Sequence, residues 1–238
     1  LYIVSDGVAL ARTADLLEYI NPKLKVLRFP AWDTVPYDRV SPNVQVMAAR
    51  IEVLSELAQN PNAKTPRVVV ASVGAVLQKL PPKKIFLNSS RELVVGNKLI
   101  FSDFMHYLAV NGYSKVEQVF EPGEYAVRGD IIDIFPVGTE NPLRVDLFDD
   151  EIERIRTFDS MSQRTTGEIR RYTFRVMNEV VLDANTIKSF RGKYREAFGA
   201  AFNDDEIYEA ISNGKKYIGM ENWLPFFYED ALPSLFDY

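Results

Sequence analysis

The run Asp149-Asp150-Glu151 is the first place where residue types and spacing could do chemistry, since adjacent carboxylates are hard oxygen ligands for Mg²⁺. Such a site serves phosphoryl transfer only beside a loop that cradles the phosphates, and the sequence contains no G-x-x-x-x-G-K-[ST]. No G-x-G-x-x-G follows a strand-like run either. The acidic run therefore reads as a solvated turn between two strands. His106, the single histidine, stands mid-helix beside Tyr107 with no second histidine to share a metal, and reads as structural. With no cysteine, disulfides, thiolate catalysis and a Cys-based zinc site are excluded. The aromatic tail (Trp223, Phe226, Phe227, Tyr228, Phe236, Tyr238) could stack on bases, but no basic residue follows Lys216, so it reads as core. No catalytic, cofactor-binding or metal-binding residue is expected. What remains is interaction chemistry. Lys115, Arg128 and Arg144 are scattered cations in an acidic, strand-rich stretch. An arginine on a sheet face either anchors a partner through paired hydrogen bonds to a carboxylate or pairs with an acidic neighbour of its own chain.

The positioning elements must come from a chain of 238 residues, 47% apolar and 26% charged, which suits one large or two smaller globular domains and excludes a disordered tail. No run approaches the ~18 apolar residues of a membrane helix. The apolar start Leu1–Val4 is soon broken by Asp6, Arg12, Asp15 and Glu18, unlike a signal peptide. Opening on Leu1 rather than Met, the chain is expected to be a piece of a longer protein, and the lack of cysteine fits a reducing, cytoplasmic location. The net charge of −5 is uneven: +4 over residues 1–84, −7 over 85–162 and −2 over 163–238. So acidic a middle would repel a phosphate backbone, which disfavours autonomous nucleic-acid binding there.

The first third alternates strand and helix. Leu1–Val4, Lys25–Phe29 and Val68–Ala71 are strand-like, while Val8–Ile20 and Val44–Leu57 carry helical periodicity. Between them lies the proline-punctuated stretch Pro30–Asp38. This β-α-β-α-β order predicts a parallel sheet covered by helices. After Pro81-Pro82 the grammar changes. A helix over Asp103–Val110, with Ser102 as N-cap and Gly112 past its end, precedes strands at Glu124–Arg128, Ile131–Phe135, Leu143–Phe148 and Ile152–Phe158. Tight turns between them predict an antiparallel meander beside one helix. A strand near Phe174–Leu182, a helix over Ala184–Phe198 capped by Asp183, and a helix from near Asp204 to Gly214 complete the pattern. The fold class is α/β: a parallel sheet with helices plus an inserted α+β part whose sheet is largely antiparallel.

Several stretches are recognisable together: Phe29-Pro30-Ala31-Trp32-Asp33-Thr34-Val35-Pro36-Tyr37-Asp38, Ala49-Arg50-Ile51, Val68–Val73, Gly123–Pro136, Arg144–Ile152, Phe158-Asp159 and Ser162–Thr165. With Trp223–Phe227 and Leu232–Phe236 they extend over essentially the whole chain. The combination resembles the amino-terminal region of the bacterial transcription-repair coupling factors, itself similar to the excision-repair helicase UvrB. In UvrB a Tyr-rich, DNA-probing hairpin precedes the counterpart of helix Val44–Leu57; the short passage here from Tyr37 to Val44 leaves no room for it. The alternative is a fragment of a UvrB-like ATP-dependent helicase without its nucleotide site; a free-standing interaction domain with unrelated partners is a third reading.

The resemblance implies a degenerate helicase-like (P-loop NTPase-like) part over 1–84, an inserted UvrA-binding domain over 85–162, and a companion helicase-like part over 163–238. It implies a non-catalytic recruitment module that brings UvrA to lesions where RNA polymerase has stalled. Polymerase and DNA would be engaged by other parts of the full-length protein. Matched residue by residue, the UvrA-contacting positions fall on Arg128, Asp146 and Lys115, with Arg144 adjacent. A further basic position of the pattern falls on Ala126, so the implied interface is not identical to that of UvrB.

Overall fold

The strands β1 (Tyr2–Val4), β2 (Lys25–Phe29) and β3 (Arg67–Ser72) pair in parallel in the order β1-β3-β2 in the computed structural model, which describes residues 1–35, 39–88, 90–199 and 205–238. The central strand buries Val69, Val70 and Ala71, as a strand covered on both faces must. Helix α1 (Gly7–Ile20) starts where the Asp6 carboxylate accepts the Ala9 amide at 2.9 Å, and it buries Leu10 and Ala14. Helix α2 (Val44–Gln59) is capped by Asn43 and buries Met47, Ile51, Leu54 and Leu57 at the three- and four-residue steps of its sequence. Short helices α3 (Val73–Leu77) and α4 (Lys84–Asn88) follow. Pro36, Tyr37 and Asp38, part of the family-like stretch, lie outside the described residues.

The next segment forms its own compact unit, residues 89–178. It contains β4 (Arg91–Val94), α5 (Phe101–Val110), β5 (Ser114–Lys115), β6 (Glu124–Arg128), β7 (Ile131–Ile134), β8 (Leu143–Phe148), β9 (Glu151–Phe158), β10 (Thr165–Ile169) and β11 (Arg171–Phe174). Six of these strands form one sheet in the order β10-β9-β8-β7-β6-β5, antiparallel except for β5 against β6, while β11 pairs antiparallel with β4. Alternation along the meander sends Tyr125, Ile132, Ile134, Val145 and Ile155 to one side, where they pack with Phe104 and Leu108 of α5 and with Phe174. Phe104 and Phe174 meet edge to face at 5.6 Å.

The second compact unit joins residues 1–88 to 179–238. Helix α6 (Ala184–Phe198) opens with a capping box: Asp183 accepts the Thr186 amide at 2.9 Å, and the Thr186 hydroxyl bonds the Asp183 amide at 2.9 Å. Then come α7 (Glu206–Ser212), whose N-cap is Asp205, and α8 (Leu224–Phe227). The expected helix start at Asp204 lies outside the described residues. Phe227 and Tyr228 are buried and Trp223 and Phe226 half-buried against Phe190 and Tyr194 of α6, whereas Phe236 is exposed. Glu179, where the chain rejoins this unit, is fully buried. It receives Arg50 Nε at 2.5 Å and Nη2 at 3.2 Å, Trp32 Nε1 at 3.1 Å, and, on its carbonyl, the Tyr228 hydroxyl at 2.9 Å.

Three local expectations differ from the structure. Ser102 does not cap α5: the helix begins one residue earlier, at Phe101, and the Ser102 hydroxyl bonds Asp103 inside it at 3.4 Å. The stretch from Phe174 to Leu182 is not a strand, although Val176, Val180 and Val181 are buried. Strand β11 ends at Phe174, and the following backbone is held irregular where Glu179 is drawn onto Arg50 and Tyr228. The expected end of the inserted part at residue 162 also differs from the compact unit. Because β10 pairs with β9 and β11 with β4, residues 165–174 bond within the inserted unit.

Candidate protein-binding face of the antiparallel sheet

The side of the six-stranded sheet opposite α5 carries the charged residues of the meander. Register places Ala126 across from Asp133, Asp133 across from Arg144, and Arg144 across from Arg156. One step along, Arg128 faces Ile131, Ile131 faces Asp146 and Asp146 faces Arg154. A two-residue period thus gathers Arg128, Asp133, Arg144, Asp146, Arg154 and Arg156 from four neighbouring strands onto one surface, with Ala126 and Ile131 among them.

Asp133 is the hub. Its side chain keeps only 2% of its surface, and a carboxylate so buried must be paired. Arg144 donates to it from Nε at 2.6 Å and Nη2 at 2.8 Å, and Arg128 donates from Nη2 at 3.1 Å. The Arg144 guanidinium also lies 4.5 Å over the Phe158 ring and donates to Gln163 Oε1 at 3.3 Å. The bond to Asp133 holds the Arg144 pKa above its ordinary value, against the opposing effect of burial. Gln163, in a left-handed backbone conformation with φ of 59°, is locked in turn by donating to the carbonyls of Val119 at 3.1 Å and Ser160 at 2.7 Å.

Of the residues singled out from the sequence, Arg128 and Arg144 are brought together on Asp133. Asp146 is engaged elsewhere: it accepts two bonds from Arg156, at 2.8 and 2.6 Å, rather than orienting Arg128. Lys115 is not brought to this face. Its register beside Tyr125, whose ring joins the α5 side, sends Lys115 to the opposite face at the exposed sheet edge. Val116, the next residue, packs with Val119, Ala126, Phe135 and Phe158 on the charged side. Ala126 is buried in that cluster and brings no charge to the face. Arg128 keeps 54% of its side-chain surface and Arg154 58%. Phe148, at the end of β8, is 71% exposed.

Sequence reasoning missed Asp133, Arg156 and Phe148. Phe148 shares the two-residue phase of Arg144 and Asp146 along β8 and could have been found from alternation, whereas Asp133 and Arg156 are reached only through the cross-strand register. The Asp149-Asp150-Glu151 run is the β8–β9 turn, with Asp149 at φ of 55° and Asp150 paired to Lys98 at 2.9 Å. That pairing lowers the Asp150 pKa. His106 is exposed on α5. Among the described residues no group of three or more His, Cys, Asp or Glu is placed to hold a metal ion, and no helix is long and apolar enough to cross a membrane.

Residues 92–179, which carry this face, match the protein family described as the UvrB interaction domain. The transcription-repair-coupling factor of Haemophilus influenzae is 39% identical over 237 residues, 99% of this chain and 20% of the relative. The chain is similar along nearly its whole length to the transcription-repair-coupling factors. That of Escherichia coli is 34% identical over 213 residues, 90% of this chain and 18% of the relative. That of Bacillus subtilis is 28% identical over 242 residues, with 95% and 20% covered. The chain therefore spans about a fifth of the length of the relatives it matches, and its similarity to them runs through both compact units.

Proposed function

We propose that this chain is a non-catalytic recruitment module that binds the nucleotide-excision-repair protein UvrA and delivers it to lesions where RNA polymerase has stalled. It works in the cytoplasm, and other parts of the full-length protein engage polymerase and DNA. The observation that carries this reading is the open Arg128 guanidinium. It stands, with the exposed aromatic Phe148 two strands away, on a hydrogen-bonded sheet within the segment matching the UvrB interaction domain. Arginine and aromatic side chains on a stiff support are the usual anchors of protein interfaces. Arg144 and Asp146 belong to the same face, whereas Lys115, on the opposite face at the sheet edge, is left out of it.

The test compares Arg128→Ala with Arg12→Ala, a control on the exposed side of α1, in binding to purified UvrA. If Arg128 meets a carboxylate in a desolvated patch, its truncation costs about 2–5 kcal/mol, a loss of roughly thirtyfold or more. Both variants are expected to melt like the parent, and only Arg128→Ala to lose UvrA on a sizing column. Equal retention by the two would refute the assignment of Arg128.

A further inference from the structure

Asp133 stands in the middle of the charged face, with Ala126 on one side and Arg144 on the other. Ala126 supplies no side-chain donor. The buried carboxylate is satisfied from above by two arginines reaching over the sheet, with three donor contacts of 2.6, 2.8 and 3.1 Å. Both Arg144 contacts use the guanidinium edge that would otherwise grip a partner in two-pronged fashion. Arg128 commits only one Nη2 contact and stays half exposed, so the rest of its donor edge makes no other hydrogen bond or ion pair among the described residues. The two guanidinium groups share one carboxylate, and without it two like charges would crowd a partly desolvated floor.

We propose that Asp133 is a positioning residue of the partner-binding face. Its buried carboxylate orders Arg128 and Arg144 before a partner arrives, leaving Arg128 poised for a carboxylate on an acidic partner surface. Arginine loses much side-chain freedom when it is fixed, and ordering it during folding removes that loss from binding. This rests on the reading of the face as the UvrA-binding surface, and its test separates the two.

Asp133→Asn keeps the shape and removes the charge. Calorimetry of the full chain with purified UvrA should show an affinity loss of about tenfold in the parent background. With Arg128→Ala and Arg144→Ala already present, the same change should cost under about twofold, because Asp133 acts through those side chains. Equal losses in both backgrounds, or no loss in the parent, would overturn the proposal. A second readout needs no partner: nuclear relaxation of the arginine Nε–H groups should find Arg128 and Arg144 more mobile in Asp133→Asn. Unchanged mobility would also overturn it. If the parent fails to bind UvrA while the arginines loosen as expected, the partner reading falls and the positioning role stands. Should Asp133→Asn melt far below the parent, Asp133→Asn with Arg144→Gln is compared with Arg144→Gln alone. A further loss of affinity and added Arg128 mobility support the proposal, and equality in both overturns it.

Discussion

Replacing Glu179 by Gln should destabilise the unit formed by residues 1–88 and 179–238 while leaving the inserted unit folded. Arg50 and Glu179 each have a side chain with 0% exposure, so the charge left behind has no route to water. Arg50 would keep its Nη1 bonds to the Pro30 carbonyl and Gln78 Oε1, both 2.9 Å, and its place 4.5 Å over the Phe29 ring. None of these supplies a countercharge. Removing one partner of such a pair costs about 3–5 kcal/mol. For a unit of this size that corresponds to a fall in melting temperature of roughly 6–20 °C. The chain's two tryptophans, Trp32 and Trp223, both lie in this unit, and Trp32 donates directly to Glu179. Tryptophan fluorescence during urea unfolding therefore reads this unit alone, while amide exchange over 124–158 reads the inserted one. Arg50→Met should be comparably destabilising. The double variant Arg50→Met with Glu179→Leu should lose clearly less than the sum of the singles, because no lone charge remains. An unchanged urea midpoint for Glu179→Gln, or strict additivity in the double variant, would refute the reasoning.

Glu56 gives a pH-dependent case. It is held by Lys25 Nζ at 2.9 Å and Arg67 Nη1 at 3.3 Å, and the hydrogen bond from Lys25 leads the effects that set its pKa below the usual carboxylate range. A depressed carboxylate stabilises the fold above its unfolded-state pKa, and that contribution is lost as pH falls through the lower folded value. Glu56→Gln should thus be less stable than the parent at pH 7 and converge with it in urea titrations as the pH falls below the lowered folded-state value. The chain should also bind ATP with Mg²⁺ no better than millimolar, since its sequence lacks a phosphate loop. Micromolar binding by calorimetry would contradict this.

Elements that bury one regular face were legible from residue types alone. The helix α2 could be read because Met47, Ile51, Leu54 and Leu57 recur at the helical period, and β8 because Leu143, Val145 and Leu147 alternate with polar residues. Ser102 misled because a serine before an apolar run is a good cap in isolation, yet here the helix starts ahead of it without any side-chain cap. The stretch after Phe174 misled because apolar runs signal burial, not backbone shape.

The candidate face divides in the same way. Sequence alone determined that the meander would carry Arg128, Arg144 and Asp146 on strands, since alternation and tight turns are local properties. Only the tertiary structure decided their partners. Asp133 sits in the run Ile131-Ile132-Asp133-Ile134, where the neighbours on both faces are apolar, so nothing local announces a buried carboxylate facing outward. It became the hub because strand register set it across from Arg144 and diagonally from Arg128. Register set Asp146 across from Arg154, yet its carboxylate is taken diagonally by Arg156, and register turned Lys115 to the opposite face. Cross-strand pairing depends on which residues lie 4–6 Å apart after the sheet has formed, and a slip of one residue exchanges every pair and both faces. That information lies between strands, where no reading along a single segment reaches it.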